Sequence, residues 1–188
     1  MKLTRLMCMA LMGITIVNAK TTIVAPKRQN KHSMQNFTHL CQKKDSLPKQ
    51  TKYTVKVLLE KAGTQDCDRA EKKLKKLRVL DLSSHDISDL SPLAQLTNLR
   101  ELYLSYNQIR DLSPLAQLTN LNFLFLESNQ IGDLSPLSQL TNLTWLFVGG
   151  NPINNKTCPV KPASICEFDA NTDDELLLED IEVIAQLP

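Results

Sequence analysis

The chain has 188 residues, 42% of them hydrophobic, 5% aromatic and only five glycine, enough for one domain or a short repeat array with two caps. So few glycines and aromatics argue against a glycine-rich barrel or a cofactor-cradling dinucleotide fold. The formal net charge is only +2, but the charges are segregated, with 16 basic against 5 acidic residues from Lys20 to Arg78 and 4 against 15 from Val79 to Pro188. Such a dipole can orient a partner or favour head-to-tail contacts, within a screening length of about 8 Å at physiological salt.

Residues 1–19 read as a signal peptide. Lys2 and Arg5 form a positive start, an apolar run follows from Leu6 to Val17, and Val17-Asn18-Ala19 places small residues where a signal peptidase inspects. The run is too short to span a bilayer. A buried N-terminal helix is the competing reading, and a lipoprotein is disfavoured because Cys8 lies inside the apolar run. Cleavage after Ala19 would leave 20 basic residues facing 20 acidic ones, and would leave Cys41, Cys67, Cys158 and Cys166. An even cysteine count in an exported chain predicts disulfides and a secreted or periplasmic location. A metal site is not expected: no histidine lies near Cys158 or Cys166, and His39 is only one residue removed from Cys41.

Residues 20–52 are polar and basic and are expected to be mobile except near Cys41. Residues 53–76 read as a helical cap. Tyr53–Ala62 puts Val55, Leu58 and Leu59 on one helical face before Gly63 stops it. A second helix is predicted from Thr64 or Asp66, presenting Cys67, Ala70, Leu74 and Leu77. Asp68–Lys72 and Glu71–Lys75 are i,i+4 pairs in the favourable orientation. The lysines read as the solvated face of the cap. Nucleic-acid binding is not expected, because no aromatic residues interleave the basic ones.

The decisive signal spans residues 77–152. The string DLSPLAQLTNL occurs at Asp89–Leu99 and Asp111–Leu121, and DLSPLSQLTNL at Asp133–Leu143, a period of 22 residues. Four units therefore begin at Leu77, Leu99, Leu121 and Leu143. In the second unit Leu99, Leu102, Leu104, Ile109, Leu112, Leu115 and Leu118 fit neither period 2 nor period 3.6. A chain that turns once per unit can point them all at a shared axis. Leu102 and Leu104 then face inward from a short strand, with Glu101 and Tyr103 outward. Asn107, Asn129 and Asn151 mark the bend, with His85 in the first unit. Ser113 suits an N-cap and Pro114 a first helical position, so one turn of helix or 3₁₀ is predicted from Pro114 to Leu118. Asp89, Asp111 and Asp133 recur once per coil and are expected to help cap that turn. About three such units are needed to bury a continuous core.

Residues Leu77 to about Ile153 resemble the 22-residue leucine-rich repeats of bacterial internalins and of the related phosphatase-regulator type. The resemblance implies an α/β leucine-rich-repeat solenoid, a short horseshoe with a parallel β-sheet on its concave face used for protein recognition. With about four coils, His85 at the first bend and no cell-wall sorting motif, host-receptor binding is not carried over from large internalins.

Residues 153–188 read as a C-terminal cap and an acidic amphipathic tail. Cys158–Cys166 encloses two prolines and looks stapled. Cys158–Cys166 and Cys41–Cys67 are the expected disulfides, since bridging the array would require α-carbons within about 7 Å across four coils. The tail carries Leu176, Leu177, Leu178, Ile181, Val183, Ile184 and Leu187, and is expected to dock on the cap, with a partner-binding segment or a frayed end as alternatives.

No catalytic set, phosphate loop or cofactor motif is found, so neither enzyme activity nor a cofactor is expected. The informative residues are those the repeat does not dictate. Glu101, Tyr103, Phe123, Phe125, Trp145 and Phe147 occupy outward strand positions, and Tyr106 and Glu127 lie just beyond. Six of the nine aromatics fall there, where inward leucines already supply the core. Packing across the strands would stabilise the sheet alone. An interaction site is the preferred reading. The expectation is a monomer or weak oligomer that binds another protein, with no nucleic acid and no membrane span; a glycan-binding module and a structural envelope component are the alternatives.

Overall fold

A computed structural model describes residues 36–169. The expected signal peptide, residues 20–35 and the tail from residue 170 lie outside them. Three helices, α1 (Phe37–Gln42), α2 (Lys49–Ala62) and α3 (Cys67–Leu74), precede five strands: β1 (Val79–Asp81), β2 (Glu101–Tyr103), β3 (Phe123–Phe125), β4 (Trp145–Phe147) and β5 (Cys166–Glu167). The strands form one parallel sheet in sequence order. Among the described residues no helix is long and apolar enough to cross a membrane.

The N-terminal cap begins earlier than expected. The polar segment 20–52, expected to be mobile except near Cys41, contributes α1, which contains Cys41, and the first turn of α2. Asn36 caps α1 by accepting the His39 amide at 2.8 Å, and Phe37, Leu40 and Cys41 are buried on one face. Two long-range links hold so short a helix: the Cys41–Cys67 disulfide, with Cα atoms 5.7 Å apart, and the Thr38 amide donating to Glu71 at 2.9 Å. Helix α2 is anchored to the first coil by polar contacts: Thr54 Oγ1 donates to the Asp89 carbonyl at 2.8 Å and Thr51 donates to the Asp89 carboxylate. It ends at Gly63, whose φ of 60° is the left-handed closure that suits glycine at a helix C-terminus. Asp66 caps α3 through the Arg69 amide. Of the two expected ion pairs on that helix, Glu71–Lys75 forms. Burial raises the Glu71 pKa, but hydrogen bonds from Lys75 and Thr38 outweigh it and hold the carboxyl low.

Each repeat makes one coil, and the strands align without stagger: Leu80, Leu102 and Leu124 are successive partners, as are Leu124 and Leu146. Leu102, Leu104, Ile109, Leu115 and Leu118 have no exposure at all, and Leu112 has 1%. Full burial of each such side chain stabilises by about 1.5–3 kcal/mol relative to exposure, so the leucine spacing is sufficient reason for the coil.

Side-chain amides stitch the coils together. Asn107 Oδ1 accepts the Ile87 amide of the preceding coil at 2.8 Å, while its Nδ2 donates to the carbonyls of Leu82 in that coil and Leu104 in its own, both at 2.9 Å. Asn129 and Asn151 repeat the arrangement one and two coils on. His85 can stand in for asparagine because no repeat lies beneath the first coil to be tied; its ring bonds the carbonyl of Ser83, in its own coil. A second row went unread in the sequence: Asn98, Asn120 and Asn142 donate to the carbonyls of Lys75, Thr97 and Thr119 at 2.7–2.8 Å.

On the opposite side the predicted helical turns are 3₁₀, at Ser91–Leu93, Ser113–Gln117 and Ser135–Gln139. The serine is the first helical residue and does not cap. The carboxylates of Asp89, Asp111 and Asp133 take the amides of Ser91, Ser113 and Ser135 at 2.8 Å.

The C-terminal cap adds a fifth strand that the lost periodicity concealed. Cys166 and Glu167 pair with Leu146 and Phe147, and the Cys158–Cys166 disulfide, Cα–Cα 5.7 Å, fixes that strand. Buried Val160 helps to close the end of the leucine core, with Ile165 and Phe168 packed against it.

Candidate functional site

The outward side chains of the sheet form rows that run across the strands, because parallel partners without stagger place equivalent residues side by side. The central row is Asp81, Tyr103, Phe125, Phe147 and Glu167. Its rings lie nearly parallel, with centroids 4.5 Å apart for Tyr103–Phe125 and 4.8 Å for Phe125–Phe147. Those separations match the spacing of neighbouring strands, about 4.7–4.9 Å. The backbone itself thus sets the stack. Trp145 extends it from the neighbouring row, 5.8 Å from Phe147 and tilted by only 5°. That neighbouring row is Val79, Glu101, Phe123 and Trp145.

Phe125 was expected as an exposed contact residue, but sandwiching between Tyr103 and Phe147 leaves it only 8% exposed. It belongs to the platform's support. Trp145 is 51% exposed and Tyr106 62%, while Glu101, Tyr103, Phe123, Glu127 and Phe147 are half-buried.

Tyr106 is unusual for the size of its side chain at its repeat position. Ser84, Tyr106, Ser128 and Gly150 stand at the same repeat position, and all adopt left-handed φ angles of 52–69°. The fourth coil uses glycine there, the residue that takes this conformation without strain. A bulky tyrosine in the same place is an outlier, in a conformation that the repeat imposes on every coil.

Carboxylates surround the rings. Glu101 accepts the Tyr103 hydroxyl at 3.1 Å. Burial, and then the charge of Glu101, push the Tyr103 phenol up to about 12, so it remains a donor. Glu127 accepts the Ser105 hydroxyl at 2.5 Å, and burial raises its pKa. Asp81 accepts the Ser83 amide at 2.9 Å, and Glu167 the Asp169 amide at 3.2 Å. Sequence reasoning did not weigh Asp81, which strand alternation puts on this face beside Tyr103. It missed Glu167 altogether, because β5 has no repeat signal; its following a cysteine of the stapled loop was the available clue. No group of three or more histidine, cysteine or acidic residues arranged to hold a metal ion occurs among the described residues.

A family profile described as Leucine Rich repeats (2 copies) matches residues 75–117 and again residues 97–139. No curated protein matches the sequence significantly. Among solved structures the chain is similar to an internalin, InlF, from Listeria monocytogenes, with 34% identity over 45% of this chain and 25% of that one, TM-score 0.44. It is similar to internalin C2 of the same organism, with 34% identity over 54% of each chain, TM-score 0.45. The functional domain of InlJ, also from Listeria monocytogenes, shows 27% identity over 55% of this chain and 23% of that one, TM-score 0.48. The matched part thus spans between about a quarter and a half of those chains.

Proposed function

On the premise that this chain is a leucine-rich-repeat protein with internalin-like repeats, we propose that it is a secreted, non-catalytic binding module whose concave face recognises another protein. The observation that carries this reading is the aromatic stack. The coils already bury a complete leucine core, so rings placed on the outer face are surplus to its needs, and Trp145 and Tyr106 expose more than half their surface. Exposed aromatic anchors of this kind dominate binding energy at protein interfaces. Two disulfides suit an oxidising compartment outside the cytosol.

The partner-binding residues proposed are Glu101, Tyr103, Tyr106, Phe123, Glu127, Trp145 and Phe147, with Phe125 supporting them from within the stack. A sheet of five short strands spans about 19 Å, less than the 20–30 residues of a standard interface demand. The partner is therefore small, weakly bound, or gripped by a cap as well. Affinity capture with the mature protein, in wild-type and Trp145→Ala/Phe123→Ala forms, tests the reading. A protein retained by the first and lost from the second is expected; equal retention would refute it. The half-exposed indole of Trp145 also suits stacking on a sugar ring, and saturable binding on a glycan array with no protein captured would favour that second reading.

A further inference from the structure

Every charged residue in the outward rows of the sheet is acidic. Asp81 and Glu167 close the two ends of the central ring row, Glu101 lies beside Tyr103, and Glu127 stands just beyond β3. The hydrogen bonds these four accept come from a tyrosine or serine hydroxyl or from backbone amides. None of them is paired with a lysine or arginine among the described residues, although ion pairs form elsewhere, as at Lys52–Asp45 and Lys156–Asp169. The basic residues closest in sequence, Arg78 and Arg100, precede the strands, and the Arg78 guanidinium turns back to the Asn98 carbonyl.

Stacking turns the faces of Tyr103, Phe125 and Phe147 toward one another, so cations are drawn to the faces left open at the ends of the stack, where the ring quadrupole is negative and water is partly excluded. Lysine and arginine are also the side chains that lay an apolar stem on a ring while carrying a charged head to its edge. A row of stacked rings edged by unpaired carboxylates complements both halves of such a side chain. From these observations, and resting on the reading of this face as a protein-recognition surface, we infer that its occupant is a basic peptide segment. Its lysine or arginine stems lie along the outward edges of Tyr103, Phe147 and Trp145, with their heads among Asp81, Glu101, Glu127 and Glu167. The raised pKa of Glu127 agrees with this arrangement, because burial leaves its charge poorly solvated and an arriving cation would relieve that. From β1 to β5 the face measures about 19 Å, which about six residues of extended chain would cross.

The test is selection from a phage-displayed library of random peptides about ten residues long, panned on the complete mature protein. It is repeated on the isosteric variant Asp81→Asn/Glu101→Gln/Glu127→Gln/Glu167→Gln and on Trp145→Ala/Phe123→Ala, each first shown by circular dichroism to fold as wild type. Enriched sequences should be rich in lysine and arginine. Synthetic copies should bind the charge-removed variant at least tenfold more weakly, and raising salt from about 0.05 to 0.3 M should weaken binding to wild type several-fold. Enrichment of neutral or acidic peptides, or no enrichment, would overturn the inference. So would undiminished binding to the charge-removed variant. If that binding is still lost with Trp145 and Phe123, the recognition surface stands and only the cationic partner falls. If neither variant matters, both ideas fall together.

Discussion

Tyr106 and Glu127 are each held at some cost to the fold. For Tyr106 the cost is conformational: a side chain with a Cβ in left-handed backbone is disfavoured by about 1–2 kcal/mol, and the same position in the fourth coil is Gly150. Tyr106→Gly should therefore raise stability by about 1 kcal/mol, part of the relief being offset by the greater flexibility of glycine in the unfolded chain. Urea unfolding checks this, and a variant weaker than wild type would show that the ring contributes packing its exposure hides. For Glu127 the cost is electrostatic. Burial raises its folded pKa, so the folded state binds that proton more readily than the unfolded state. Its contribution is then fully present below the unfolded pKa and is lost as pH rises through the folded value. Glu127→Gln, which cannot ionise, should raise the denaturant midpoint at neutral pH and change it little at about pH 4 or below, where the carboxyl is largely protonated. A midpoint lowered at neutral pH would mean that the Ser105 bond outweighs burial.

Among the elements, the rows of the sheet behave as units. Leu102→Ala deletes an inward side chain with no exposure and should cost about 2–5 kcal/mol. Phe125→Ala opens a gap between two parallel rings and should cost about 3 kcal/mol, close to a core substitution. Trp145→Ala, at the half-exposed end, should change stability by less than about 1 kcal/mol. Midpoints from one denaturant series rank the three, and a Phe125→Ala midpoint near that of Trp145→Ala would contradict the sandwich. The contrast shows where the sequence was legible. Coils, bends and inward leucines repeat every 22 residues, so each copy corroborates the others, and the aromatic positions followed from strand alternation. The burial of Phe125 did not, because it depends on rings from neighbouring coils meeting at the strand spacing. Helix α1 and strand β5 were hidden for a related reason. Each is short and lies outside the repeat, and each is held by a disulfide and by partners distant in sequence, such as Glu71 for α1 and Leu146 for β5.

At the scale of the whole molecule, charge is divided between the ends and the concave face is acidic. The sole tryptophan reports on that face. Trp145 should emit at long wavelength, be readily quenched by acrylamide, and shift to the blue when the face is occupied. A chain ending at Asp169 is expected to give the same free spectrum; quenching that rises on truncation would reverse that expectation.

The asparagine ladder has a mechanical consequence. Each bend is completed by an amide from the following coil, so a coil cannot detach without leaving buried backbone groups of its neighbour unpaired. Load applied at the chain ends is then borne by one inter-coil seam at a time, and the array should yield as a ratchet. Stretched in a force spectrometer, it should lengthen in steps of one repeat, about 75 Å of contour for 22 residues at about 3.4 Å each, while the disulfide-closed loops at either end keep their length withheld. Asn129→Ala should lower the rupture force of the seam between the second and third coils and leave the step length unchanged.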